Sequence, residues 1–333
     1  MFEEEYQNQG DRGPTSSESL TTRSRFSPIR SSVPTESTFP KRLKRMWTLF
    51  PLQDISWIVA FSFTIGSAAF VIYGFFLLLP FIDPETNFPT ETPYATPASS
   101  VFGALLFLVG GYAGFLEGMN LSRREVAGTN VPDIETTEIT EIRMKLDENS
   151  SQEMEPQSST EPTRGERSGH SFPPLLGDPV FVYLPTKQQL TALHARSLLF
   201  HSAWVQFLGT IIFAFATFTS LPGILPSSNS SHLLITLLNL LPASTGGVLF
   251  IISALLQLFN AQDKLWTPKP RKADWQVGFS NLIGSLGFTL AGALPVFRSE
   301  TASYVGILAE FWGSCAFLIG SVVQLYIVMG YYA

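Results

Sequence analysis

Six stretches of this 333-residue chain are apolar on every side for long enough to cross a bilayer, near 57–80, 100–119, 200–222, 236–258, 275–297 and 303–328. A bilayer core is spanned by about 20 residues of helix. A helix with no polar face has no place on the surface of a soluble domain, so these segments are written for lipid. Mean hydropathy over the whole chain is a modest +0.19 only because long polar segments dilute them.

The six segments read as three copies of one hairpin. The first helix of each copy carries Gly-Ser/Thr-x-x-Phe: Gly66-Ser67 to Phe70, Gly209-Thr210 to Phe213, Gly284-Ser285 to Phe288. The second carries Gly-x-x-x-Phe followed by two small residues: Gly103 to Phe107 and Gly110-Gly111, Gly246 to Phe250 and Ser253-Ala254, Gly313 to Phe317 and Gly320-Ser321. An offset of 143 residues carries Gly66 to Gly209 and Gly103 to Gly246. Lipid tails are as apolar as leucine, so membrane helices associate by close packing, and small residues let backbones approach. Gly66, Gly110, Gly114, Gly209, Gly284, Gly313 and Gly320 are therefore expected packing positions, with Gly110, Gly114 and Gly118 on one stripe and each repeated Phe filling the space beside a glycine. All three hairpins begin on the same side, which makes them parallel repeats about an axis along the membrane normal. The expected fold is an all-α membrane protein, six transmembrane helices in three parallel-repeat hairpins with a disordered cytosolic tail and linker. A pseudo-three-fold ring is the simplest arrangement and a less regular bundle the alternative.

Charge sets the expected orientation. Of 21 Lys and Arg, 20 fall before the first span, between spans two and three, or between spans four and five; the opposite loops hold only Arg298. The positive-inside rule then puts both termini and the long linker in the cytosol, in a plasma membrane or endomembrane that the sequence does not distinguish. The first apolar run starts near 56, too late for a cleavable signal peptide. The expected organisation is a disordered, basic-ended tail (1–45), hairpin one (46–121), a disordered linker (122–178), an interfacial segment with hairpin two (179–262), and hairpin three (263–333). Lys41, Arg42, Lys44 and Arg45 are suited to anionic lipid headgroups. Thr186-Lys187-Gln188-Gln189 fits a capping box that opens a helix presenting Leu190, Leu193 and Leu198 to the membrane surface. Asn229-Ser230-Ser231 is a candidate glycosylation acceptor in an outer loop.

Two stretches resemble known proteins. Phe317-Leu318-Ile319-Gly320-Ser321, with the Gly-Ser-x-x-Phe of the partner helices, resembles the YrhK-like domain, a two-helix membrane module. Leu265-Trp266-Thr267-Pro268-Lys269-Pro270 through Trp275-Gln276-Val277-Gly278-Phe279, then Glu310-Phe311-Trp312-Gly313-Ser314, is similar to a family of uncharacterised fungal multi-pass membrane proteins built from such modules. That similarity covers roughly residues 45–120 and 180–330. Copy two departs from the module with Ser253-Ala254 in place of Gly-Ser. The resemblance implies a fold and no activity.

Few polar residues lie inside the spans, and these are the functional candidates: Glu310, Asn281, Gln257, Gln324 and Glu117. An ionisable group at mid-membrane is costly, about 2.5–3.5 kcal/mol on insertion scales. Glu310 is expected to bond a neighbouring helix or, alternatively, to line a polar path. Glu117 is expected to snorkel or pair with an arginine. Gln257 and Gln324 hold equivalent places in copies two and three, where copy one has Gly114. No metal-ligand spacing, phosphate-binding loop, nucleophile elbow or dinucleotide fingerprint occurs, so no catalytic residue, metal, cofactor or nucleic-acid partner is assigned. The expected function is a non-enzymatic, membrane-organising or scaffold role, with lipids as partners. The first alternative is a small-solute or ion channel or transporter around a central path, and the second an intramembrane enzyme.

Overall fold

The computed structural model describes residues 38–130, 174–225, 232–262 and 266–332. The disorder expected for 1–37 and 131–173, and the acceptor Asn229, fall outside them. Among the described residues the elements are helices and turns, with no strand. Helix α1 is Phe39–Thr48, α2 Ile55–Ile82, α3 Thr96–Asn130, α4 Lys187–Arg196, α5 Leu198–Thr219, α6 Leu241–Ala261, α7 Ala273–Ala293 and α8 Glu300–Met329. A wide turn at Glu91–Ala95 leads into α3, and His232–Leu240 leads into α6, which brings all six spans to membrane-crossing length. The chain is a multi-pass membrane protein.

The six spans form a closed ring. Each packs on its neighbours in chain order, α2 on α3, α3 on α5, α5 on α6, α6 on α7 and α7 on α8, and α8 returns to close on α2. Asp54 caps α2 by accepting from Ser56 N at 3.0 Å. Its other oxygen accepts from Tyr332 Oη at 2.5 Å, joining the start of the first span to the end of the sixth.

The seams are glycine-built. A Cβ placed on Gly66 would meet Phe107 at 2.7 Å, and one on Gly103 would meet Phe70 at 2.9 Å. Copy two repeats this, with Gly209 against Phe250 at 2.8 Å and Gly246 against Phe213 at 3.0 Å. In copy three Gly284 faces Phe317 at 2.6 Å, but Gly313 faces the Gly284 carbonyl at 3.0 Å and Gly287 Cα at 3.1 Å, so there backbone meets backbone. Gly320 sits against Asn281 Oδ1 at 3.0 Å. The expected single stripe on α3 does not hold together. Gly110 faces Phe63 of α2 at 3.2 Å, Gly118 faces Ala203 of α5 at 2.6 Å, and Gly114 has only Val59, at 3.9 Å. Residues four apart advance 400° at 3.6 residues per turn, and the 40° excess per step walks the stripe from one neighbour to the other.

Other boundaries also differ. The tail does not run unstructured to residue 45, because α1 begins at Phe39 with Pro40 in its first turn, a position where the missing amide costs nothing. Phe39, Leu43 and Met46 lie at helical spacing, and the basic run among them hid that face. Met46 packs with Leu325, Val328 and Met329 of α8, and Phe39 lies 5.6 Å from the Tyr326 ring. The linker is shorter than 122–178 at both ends. Helix α3 continues to Asn130, and residues 174–178 turn back, Leu176 N donating to Gln53 O at 2.8 Å. The capping box forms as expected, with Gln189 N donating to Thr186 Oγ1 at 3.3 Å and Thr186 N to Gln189 Oε1 at 3.0 Å. Leu193 does not face the membrane surface. It is 1 % exposed and joins the bundle core with Met119 and Phe200.

Candidate functional site: an axial chamber above a phenylalanine plug

The six repeated phenylalanines meet on the axis of the ring. Those of the first helices form one triangle: Phe70 to Phe213 at 5.7 Å, Phe70 to Phe288 at 5.3 Å and Phe213 to Phe288 at 5.0 Å between ring centroids. Those of the second helices form another: Phe107 to Phe317 at 5.7 Å, Phe250 to Phe317 at 6.2 Å and Phe107 to Phe250 at 6.4 Å. Within each hairpin the two layers touch, at 5.1, 6.0 and 5.0 Å for copies one, two and three. These are the separations at which aromatic pairs attract beyond simple burial. The plug places the three hairpins around one axis.

Phe107, Phe250 and Phe317 floor a chamber of about 350 Å³. It opens toward the end of the ring where α2, α5 and α7 begin, the end that also carries the lysines and arginines of α1 and Lys272. Equivalent positions of the three copies line it: Val59, Ser202 and Val277, then Phe63, Gln206 and Asn281, then Gly114, Gln257 and Gln324. The chemistry, however, is lopsided. At these equivalent places helices α5 to α8 contribute four amides, while α2 and α3 offer Phe63, Val59 and glycine.

The amides form a relay. Asn281 Nδ2 donates to Gln257 Oε1 at 3.1 Å, and Gln257 Nε2 donates to Gln206 Oε1 at 2.9 Å. Ser253 Oγ donates to Ser202 O at 2.9 Å and lies 3.3 Å from Gln206 Oε1. Ser285 Oγ donates back to Asn281 O at 2.6 Å. By contrast, Ser56 (3 % exposed) and Ser67 (0 % exposed) border the chamber with their hydroxyls buried and without a hydrogen-bond partner among the described residues. A buried hydroxyl left unpaired costs about 1–3 kcal/mol.

Charge is confined to the mouth. Glu117, Lys272 and Asp274 stand there, with Lys272 Nζ 3.9 Å from Asp274 Oδ2. Glu117 thus belongs to the rim of the chamber. Glu310 is on the other side of the plug. On α8 it shares a face with Ser314, Phe317, Ser321 and Gln324, spaced four, three, four and three residues apart, so the axial stripe of α8 continues past the plug to the acid. Its flanking residues agree: Phe311 meets Gly74 of α2, and the Ala309 carbonyl meets Gly287 of α7. Glu310 is 6 % exposed, and its Oε1 makes no hydrogen bond, so the expected bond from that oxygen to a neighbouring helix is not formed among the described residues. Among those residues no three His, Cys, Asp or Glu side chains gather to hold a metal ion.

The structure therefore brings Gln257, Asn281, Gln324 and Glu117 to one chamber and sets Glu310 apart. Gln206 and the serines were missed by sequence reasoning. A signal existed for Gln206: it stands three residues before Gly209, as Asn281 stands three before Gly284. Comparison with protein-family models, curated proteins and solved structures gives no match.

Proposed function

We propose that this multi-pass membrane protein is a small-solute channel or transporter whose central path is held shut by the phenylalanine plug. The observation that carries the reading is the chamber: a cavity on the axis of a closed helix ring, apolar-walled with a row of amides on one side, reaching the middle of the bundle from the basic end. Polar side chains within spans are costly and concentrate on pathways. Glu310 and Ser314, on the same axial stripe beyond the plug, extend the path toward the other end.

The basic end faces the cytosol in this reading, because 20 of 21 Lys and Arg lie on that side. The chamber then opens to the cytosol and both termini lie there. We also infer kinship with YrhK-like two-helix modules of fungal multi-pass proteins, on the strength of the glycine and phenylalanine positions. A scaffold role is the second reading, and the plug favours it: six interlocked rings suit a protein that conducts nothing.

The test is solute uptake into proteoliposomes by the wild type and by Phe107→Ala. Truncating one ring of the plug should raise uptake of a small uncharged solute at least ten-fold over the wild type while the protein stays folded. Uptake equal to that of empty liposomes for both proteins would overturn the pathway in favour of the scaffold.

A further inference from the structure

We propose that the chamber binds one uncharged polyhydroxylated molecule of about six carbons, a polyol or simple sugar, hydroxyl edge toward α5–α8 and carbon face toward α2–α3. This rests on the pathway reading above for its biological meaning, but not for its chemistry.

Size comes first. A water occupies about 30 Å³, so 350 Å³ has room for roughly a dozen waters. The atoms of a six-carbon polyol are bonded and pack more tightly than separate waters, so one such molecule fits with water beside it.

Charge comes second. Below the mouth the chamber walls carry no ionised side chain. An ion taken there would lose its hydration without meeting a countercharge, and that penalty far exceeds the cost of burying a hydroxyl. A carboxylate or phosphate finds no lysine or arginine, and a cation finds no acid.

Hydrogen-bonding capacity comes third. The relay leaves the Gln206 amide nitrogen free of any protein partner among the described residues, and Gln324 makes no hydrogen bond there at all. These groups supply donors and acceptors together, which is what a hydroxyl, itself both donor and acceptor, satisfies.

Shape comes last. Opposite the amides stand Phe63 and Val59, and the floor is a triad of phenylalanines. A polyol presents C–H groups on one side and hydroxyls on another, and the chamber is divided the same way. A site of apolar walls with a few placed polar groups is the usual form of a small-molecule pocket.

The experiment uses the full chain in lipid nanodiscs and equilibrium dialysis with radiolabelled sorbitol, with gluconate as the charged probe of equal length. Sorbitol is expected to bind one per chain, and gluconate at least ten-fold more weakly. Gln324→Leu, on the hydroxyl-edge side, should weaken sorbitol binding about ten-fold, and Ser67→Ala, on the carbon-face side, should leave it unchanged. Neither change removes a protein hydrogen bond, so both variants should melt as the wild type does. Gluconate binding as tightly as sorbitol, or sorbitol binding unchanged in Gln324→Leu, would overturn the proposal. If sorbitol binds as expected but no solute crosses in Phe107→Ala proteoliposomes, the ligand class stands and the pathway falls. If Phe107→Ala passes gluconate but the chain does not bind sorbitol, the pathway stands and the ligand class falls.

Discussion

Replacing Gly287 by alanine tests the architecture most sharply, because the clash it creates has nowhere to go. A Cβ at Gly287 would lie 2.5 Å from the Ala309 carbonyl oxygen and 2.7 Å from Gly313 Cα, both backbone atoms of α8. No rotamer relieves that contact, so α7 and α8 must separate by several tenths of an ångström along a seam with no flexible side chain to fill the gap. Overpacking of this kind costs about 1–3 kcal/mol. Gly114→Ala is the control, since its Cβ would meet nothing nearer than Val59 at 3.9 Å. There the methyl group should gain about 0.5–1 kcal/mol by stiffening the unfolded chain. The two identical substitutions thus differ in sign and are separated by roughly 2–4 kcal/mol. Thermal unfolding in detergent, followed by loss of monodisperse protein, should show Gly287→Ala melting well below the wild type and Gly114→Ala at or above it. Equal melting of the two variants would refute the backbone-to-backbone seam and with it the register of α7 on α8.

Two further outcomes are expected. Because Glu310 Oε1 is buried without a partner, Glu310→Leu should leave thermal stability unchanged within about 1 kcal/mol or raise it, and a loss of about 2 kcal/mol would reveal a neighbouring group that depends on the acid. Reporter fusions after Glu155 and after Lys269 should read cytosolic, and a fusion after Glu91 should read external; an external reporter at 155 would invert the chamber's opening.

What was legible in the sequence followed from its symmetry. The glycine and phenylalanine positions recur because close approach and ring packing are the same problem in every hairpin, and they led to the spans and to the expectation that each Phe fills the space beside a glycine; which glycine it fills, Gly66 for Phe107 and Gly209 for Phe250, came from the structure. The chamber was harder to read because it is made where the copies differ. Gln206, Asn281 and Phe63 are one position in three copies, and only the ring brings them to one wall. Ser56 gave no signal, and Ser67 only its place in the repeated Gly-Ser motif, since serine in a membrane helix usually bonds its own backbone and the fold alone reveals that these two do not. Glycine spacing misled on α3, where a stripe of residues four apart drifts between two partners. The basic run of α1 concealed an amphipathic helix, because charge density masked three apolar residues at helical spacing.

The plug bounds how a pathway through this ring can work. Fully exposing a buried phenylalanine costs about 1.5–3 kcal/mol, so wetting all six rings at once would cost about 9–18 kcal/mol. At 1.4 kcal/mol per decade, even the lower figure leaves that state populated below about one part in a million. Spontaneous hydration of the intact plug is therefore too rare to carry solute, and the wild-type ring at rest is tight. In the pathway reading, opening must instead part a few rings while the others stay packed. The seams differ in what resists that motion. Helix α7 is held by backbone contact on both sides, with Gly287 against α8 and Gly247 against Thr289 and Gly292 against Ser244 on the α6 side. In copies one and two the glycines meet ring atoms across the hairpin, Gly66 on Phe107 and Gly209 on Phe250, and a ring can rotate where a backbone cannot. Phe107 and Phe250 are also plug members, so rotation there would loosen the seam and the floor together. Phe107 stands on the copy-one side, where no amide relay ties neighbouring helices, which makes it the ring whose truncation should open the path at least cost.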